Sequence, residues 1–161
     1  MVSARQGEVR AHIDAPPDKV WSLVASVERM GEWSPECYRV TWLDGATSPA
    51  SPGAHFKGRN KWGPVRWAMA CEVKTAEPGR EISWSTVQRG RELVTWRYQF
   101  EAEGSGTKVT ESFQVHWLPP LARFFEDVLM VNRDRAREEA MQATLERIKG
   151  VAETALESTS T

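Results

Sequence analysis

The sequence is short of the side chains on which most chemistry depends. It has two cysteines, Cys37 and Cys71, and three histidines in 161 residues. The cysteines have neither metal-ligand nor CxxC spacing, so neither a zinc module nor a thiol redox motif is expected. His12, His55 and His116 fall on the polar parity of their segments and are expected at the surface. There is no GxSxG elbow, no glycine-rich phosphate loop and no HExxH pair. No apolar run approaches the roughly 20 residues of a membrane span, and Met1–Glu8 has no apolar core of a signal peptide. Charge of one sign is lacking too. A formal net charge of −1 and a pI near 6.3 argue against a nucleic-acid binder that relies on a general basic field. A soluble, reduced, cytoplasmic protein without metal or cofactor is the expectation.

Tryptophan is what the chain has in excess, eight against five Phe and two Tyr. Each ring carries a large apolar area and one N–H donor. A chain of this length forms one domain and buries roughly 68–70% of its unfolded surface. Residues 1–156 are read as that domain and 157–161 as a disordered tail. The chain is organised around a long helix from about Asn132 to about Leu156. On it Ala136, Ala140, Met141, Thr144, Leu145, Ile148, Val151 and Ala152 recur at helical spacing. The stripe is small at its start and larger later, so a sheet or a ligand can approach the start closely.

Most of what precedes this helix alternates with strand period. Val9, Ala11 and Ile13 open the chain. Ala15-Pro16-Pro17-Asp18 then starts a short helix with Val20, Trp21 and Val24 on its apolar face, and Met30 to Pro35 breaks it. Strands follow at Cys37–Leu43, Ala54–Asn60 and Val65–Glu77, then around Ile82–Thr86, Val94–Phe100 and Val109–Trp117. Lys61-Trp62-Gly63-Pro64 reads as a turn. Leu121, Phe124, Phe125, Val128 and Leu129 form a short amphipathic segment out of phase with the long helix, with a bend near Val131–Arg133.

That order resembles the SRPBCC superfamily, the START and pollen-allergen helix-grip fold, and within it the polyketide cyclase/dehydrase and lipid-transport branch. The resemblance rests on Ala15-Pro16-Pro17-Asp18-Lys19-Val20-Trp21, Met30-Gly31-Glu32-Trp33-Ser34-Pro35-Glu36 and Trp42-Leu43-Asp44-Gly45. It continues in Pro52-Gly53-Ala54-His55-Phe56, Glu77-Pro78-Gly79-Arg80, Trp96-Arg97-Tyr98-Gln99-Phe100 and Gly106-Thr107-Lys108-Val109-Thr110-Glu111. It implies an α+β helix-grip fold. A seven-stranded curved antiparallel sheet would wrap around the C-terminal helix, with two short helices after the first strand and an apolar cavity between sheet and helix. It implies a small hydrophobic partner (a lipid, a polyketide-like chain or another apolar molecule), and no motif matches a catalytic set residue by residue. One fold hosts many sites.

The expected ligand-binding residues are Trp33, Trp42, Phe56, Trp67, Met69, Trp84, Trp96, Tyr98, Phe113, Phe125, Arg133, Arg137 and Met141. Ordinary core packing is the competing explanation for the aromatics. Three charges break the apolar pattern. Glu111 has the inward parity between Val109 and Phe113, and Arg133 and Arg137 extend the apolar stripe of the last helix. Buried charges need partners, so Glu111 is expected within ion-pair reach of at least one arginine. If the protein is an enzyme, an aromatase/cyclase or dehydratase, then Glu111, Tyr98 and Arg137 are the candidate catalytic groups. A third possibility is a module that meets another protein or a lipid surface through Leu121–Leu129, whose Phe124-Phe125 pair could equally flap over the cavity mouth. Monomer and homodimer both remain open.

Overall fold

Alternation builds the sheet and sets which side chains face inward. In strand β4 (Val65–Glu77) every second residue, Trp67, Met69, Cys71 and Val73, turns toward the helix-bearing face. The computed structural model describes residues 5–128 and 132–159. Its other strands are β1 (Gln6–Ile13), β2 (Cys37–Trp42), β3 (His55–Trp62), β5 (Glu81–Gln88), β6 (Arg91–Glu103) and β7 (Gly106–Val115). The seven form one antiparallel sheet in the order β1-β7-β6-β5-β4-β3-β2. Register shifts at Cys37/Arg39, Val73/Thr75 and Thr86/Val87 interrupt the ladder. Such bulges increase local twist and help the sheet curl.

Helix α1 (Pro17–Ala25) and a 3-10 helix (Val27–Glu32) follow β1, and α2 (Pro120–Val128) and α3 (Arg133–Thr159) follow β7. Pro17 fits the first turn of α1, where its missing N–H would have had no partner, and Asp18 sits at the positive dipole end. Val20, Trp21, Val24 and Ala25 bury the inner face of α1. The Trp21 indole N–H donates to the Glu81 carbonyl at 2.9 Å, so the ring is packed and satisfied.

Helix α3 lies against β1, β7 and α1. Its two halves differ. Toward the C-terminus, Leu145, Ile148 and Ala152 close a dense core with Ile13, Val20, Val73, Ile82 and Val109. Leu145 is fully buried there, and truncating such a residue to Ala costs about 2–5 kcal/mol. Toward the N-terminus, a smaller cluster of Leu93, Val94, Phe113 and Met141 is fringed by half-buried Val9, Met69, Trp96, Val115 and Trp117.

The order of elements and the helix-grip architecture agree with the sequence reading. Two boundaries differ. Strand β3 runs on to Trp62, which pairs with Val65 across Gly63-Pro64, so the ring expected in a turn belongs to a strand end. Gly63 makes that tight reversal with φ +54, a region costly for other residues. Helix α3 continues to Thr159, so residues 157–159 of the expected tail are helical. Leu129 and Val131 of the expected amphipathic segment and bend lie outside the described residues.

Candidate functional site

The inward aromatics form two contiguous groups. Trp42, Phe56, Trp84 and Tyr98 make a chain across β2 to β6 with ring centroids 5.8, 5.8 and 5.5 Å apart. Phe56, Trp84 and Tyr98 are buried, while Trp42 is half-buried and gives its indole N–H to Glu28 and Ser48. Trp96 and Phe113 form the second group, 5.7 Å apart, beside Met69 and Met141. Trp67 is half-buried under Arg133, whose guanidinium lies 5.7 Å from its ring. Trp33 is buried after the 3-10 helix, with Arg29 at 5.4 Å. Phe125 stands apart. It is 43% exposed on α2, against Phe124, and packs in neither core cluster.

The buried charges do not pair as expected. Glu111 and Tyr98 are directly opposed in register across β7 and β6, and the Tyr98 hydroxyl donates to Glu111 at 2.7 Å. Among the described residues Glu111 has no ion pair with Arg133, Arg137 or any other cation. The arginines have other partners. Arg133 pairs bidentately with Glu36 and lies 3.8 Å from Glu126. Arg137 donates to Glu126 at 2.6 Å and to Asp134 at 2.8 Å. Arg5 completes the network, reaching both Asp134 oxygens at 2.8 Å and Glu126 at 2.9 Å. Three cations thus face three carboxylates, and one of these, Glu126, comes from α2.

Burial pushes the Glu111 carboxyl up to about 8, and the Tyr98 hydrogen bond only partly opposes this. At neutral pH Glu111 is therefore an uncharged acid. Its neutrality explains why no arginine is required beside it. Burial and the neighbouring Glu111 also raise the Tyr98 phenol well above its usual value. Burial lowers Arg137, with Glu126 opposing.

Most other buried polar side chains have visible partners. Ser83 meets Thr75, Ser85 meets Thr95, and Thr107 and Thr144 donate to carbonyls. Among the described residues, three fully buried side-chain atoms lack a hydrogen-bond partner: Glu111 Oε2, Arg133 Nε and Arg137 Nε. They are not scattered. Arg137 lies 5.5 Å over the Phe113 ring, and Glu111 is two residues from Phe113 on the same face of β7. Arg133 is one helical turn before Arg137. The half-buried Ala136 and Ala140 on these turns line a cleft of about 440 Å³, whose other wall is Pro35, Glu36, Lys61, Trp62, Gly63 and Arg66. Arg133 sits in this wall with its guanidinium 4.8 Å over Trp62. A second hollow, of about 510 Å³ at Glu8, Arg10, Glu101 and Lys108, is walled by charges that largely pair with each other.

The sequence reading missed Arg5, Glu36, Trp62, Glu126 and Asp134. Arg5 is 121 and 129 positions from its partners, and no periodicity reports a contact at that separation. Glu126 had no distinguishing signal, since Asp127 follows it and the two read as the polar face of the segment.

An antiparallel sheet gripping a long C-terminal helix, with a cleft at one end of that helix, defines the helix-grip class of α+β proteins. The chain belongs to the polyketide cyclase/dehydrase and lipid-transport family, whose model matches residues 5–153, and thereby to the SRPBCC superfamily. A polyketide-cyclase-like protein of Corynebacterium glutamicum, solved by NMR, shares 35% identity over 97% of this chain and 90% of its own, with a TM-score of 0.52. A Thermus thermophilus protein solved by crystallography has a TM-score of 0.73 at 14% identity, covering 93% of this chain and 98% of that one. The di-domain ARO/CYC of the steffimycin biosynthetic pathway also reaches 0.73, at 13% identity, over 95% of this chain and 52% of that one. At these low identities the last two likenesses concern the fold alone. No curated protein matches the chain.

Proposed function

We propose that the protein binds a small hydrophobic molecule with a polar end between the sheet and the N-terminal half of α3. One observation carries this reading. Of the three buried polar atoms without partners, Arg133 Nε and Arg137 Nε lie on the first turns of α3, where Arg133 lines the cleft beside Ala136 and Ala140, and Glu111 Oε2 lies on β7 two residues from the Phe113 ring that Arg137 covers. An unpaired buried donor or acceptor costs about 1–3 kcal/mol, and a ligand oxygen is one group that removes the cost. Under this reading the half-buried rings of Trp67 and Trp96 would supply apolar wall, of the kind ligand sites generally have. Family membership supports the same class of ligand.

Native mass spectrometry of freshly purified protein is the direct test, followed by titration with apolar fluorescent probes of several chain lengths and ring systems. One-to-one binding that quenches tryptophan emission is expected. Well-folded protein that shows no saturable binding to any probe defeats the proposal.

The Tyr98–Glu111 pair favours a second reading, that of an enzyme of the cyclase or dehydratase type. A buried acid that is neutral at pH 7 and hydrogen-bonded to a phenol can give and retake a proton. Under this reading Glu111→Gln keeps probe binding and abolishes turnover of a polyketide-like substrate. Unchanged turnover excludes it.

A further inference from the structure

Among the described residues six large hydrophobic side chains are exposed, and they are not spread over the surface. Leu121, Phe124, Phe125 and Val128 lie on α2, Tyr38 on β2 and Val65 at the start of β4. The α2 set recurs at i, i+3, i+4 and i+7, so it is one stripe, and no residue of α2 is buried. Leu121 is 68% exposed and Phe124 56%. Helix α2 is instead held by charge, through Glu126 to Arg5, Arg133 and Arg137. Arg133 also sits on Trp62 of the β3–β4 hairpin, which carries Val65. It therefore ties the apolar stripe and the hairpin to one end of the molecule.

That hairpin and its neighbour β2 are basic. Lys61 faces Arg66 in register, and Arg39 faces Arg59. All four are exposed, and among the described residues none has a carboxylate partner within ion-pair distance. Like charges directly opposed on a sheet are unfavourable. Four such residues close together make a local positive patch in a chain of net charge −1.

We propose that α2 and the β3–β4 hairpin dock together on an anionic lipid surface. The α2 stripe would lie in the headgroup boundary, with Lys61, Arg66, Arg39 and Arg59 against the lipid charge. Apolar area and anionic attraction are the two terms that hold an interfacial helix on a bilayer, and both occur at this end. A nine-residue helix carries too little apolar area for permanent anchoring, so the association is reversible and salt-sensitive. The cleft walled by Lys61, Arg66 and Arg133 opens at the same end. The inference stands independently of what the cleft holds.

The test is co-sedimentation of the full chain with vesicles of phosphatidylcholine alone or mixed with phosphatidylserine, at low and high salt. Binding to the mixed vesicles is expected, lost in high salt and weak on phosphatidylcholine. Each cation removed from the hairpin lowers the partition constant roughly fivefold. Lys61→Glu with Arg66→Glu, and separately Phe124→Ala with Phe125→Ala, should each abolish binding. Lys19→Glu, an exposed change on α1, should not. All four altered side chains in the double variants are exposed, so circular dichroism is expected to be unchanged. No binding to mixed vesicles overturns the proposal, as does equal loss in Lys19→Glu. A concentration-dependent dimer dissolved by the Phe double variant, without vesicle binding, also overturns it and assigns the stripe to a second copy of the chain.

Discussion

Glu111→Gln separates a structural ion pair from a buried neutral acid, because the two predict opposite signs. Had Glu111 paired with Arg137, its removal would strand a buried cation and destabilise the fold. The observed partner is the Tyr98 hydroxyl, and the carboxyl is raised from 4.5 to about 8. The folded protein therefore holds a proton that the unfolded chain loses near pH 4.5. Stability is unaffected by this group below that value, falls as pH rises from 4.5 to about 8, and is flat above. At about 1.4 kcal/mol per pH unit the interval caps the penalty near ~5 kcal/mol. Glutamine has the same shape, accepts from Tyr98 and never ionises. The variant should match the parent near pH 4.5 and exceed it by about 2–5 kcal/mol at pH 8. Urea unfolding of both proteins at intervals from pH 4.5 to 8.5 reads this directly, since all other titrations cancel in the difference. Parallel stability curves, or a variant less stable at pH 8, would refute the neutral-acid account.

Two further outcomes follow from the same contacts. Glu126→Gln removes a carboxylate that serves Arg5, Arg133 and Arg137 at once. It should cost roughly 3 kcal/mol in chemical denaturation and speed amide exchange in α2 more than in the Leu145–Ile148 stretch of α3. Uniform acceleration would show that Glu126 does not act as the tether of α2. Burial raises both thiols, Cys37 to about 11 and Cys71 further still, so neither should react with a disulfide reagent in the native state at pH 8, and both should react in denaturant. Rapid native reaction of Cys71 would contradict its placement in the core.

The legible part of the fold was the part written in short-range periodicity. Val65 to Val73 and Val94 to Phe100 alternate without interruption, and the Pro and Gly punctuation sits between strands, so strand number and inward faces could be read. The same parity brought Glu111 and Tyr98 into the candidate set, because both occupy inward positions. Their pairing with each other was not legible, since it depends on the β6–β7 register, which places Tyr98 opposite Glu111. The arginine partners were hidden for a related reason. Opposite charge predicted attraction between Glu111 and the arginines, but burial decides whether a carboxyl is charged at all, and burial is a property of the closed sheet. Trp62 was misread because Gly63-Pro64 looks like the centre of a longer turn. Only the register shows that the strand reaches up to the glycine.

The two halves of α3 are held to the rest of the fold by different forces. Leu145, Ile148 and Ala152 bind the C-terminal half to the sheet by apolar burial, which is strong and needs no partner atoms. The N-terminal half carries only Met141 as a large buried apolar side chain and is held instead by Arg133 and Arg137 through Glu36 and Glu126, which lie outside the sheet. Ion pairs fix position at a distance of one side chain, whereas apolar packing fixes it only by filling the gap. The charge-held end of α3 still meets the sheet, with Met141 in one cluster with Phe113 and Arg137 5.5 Å over the Phe113 ring. Replacing Arg137 or Arg133 by a well-packed apolar residue is the change that this architecture tolerates energetically, yet it would release α2, which Glu126 ties to both arginines. The arginines thereby tie the N-terminal end of α3 to α2 through Glu126 and to the start of β2 through Glu36.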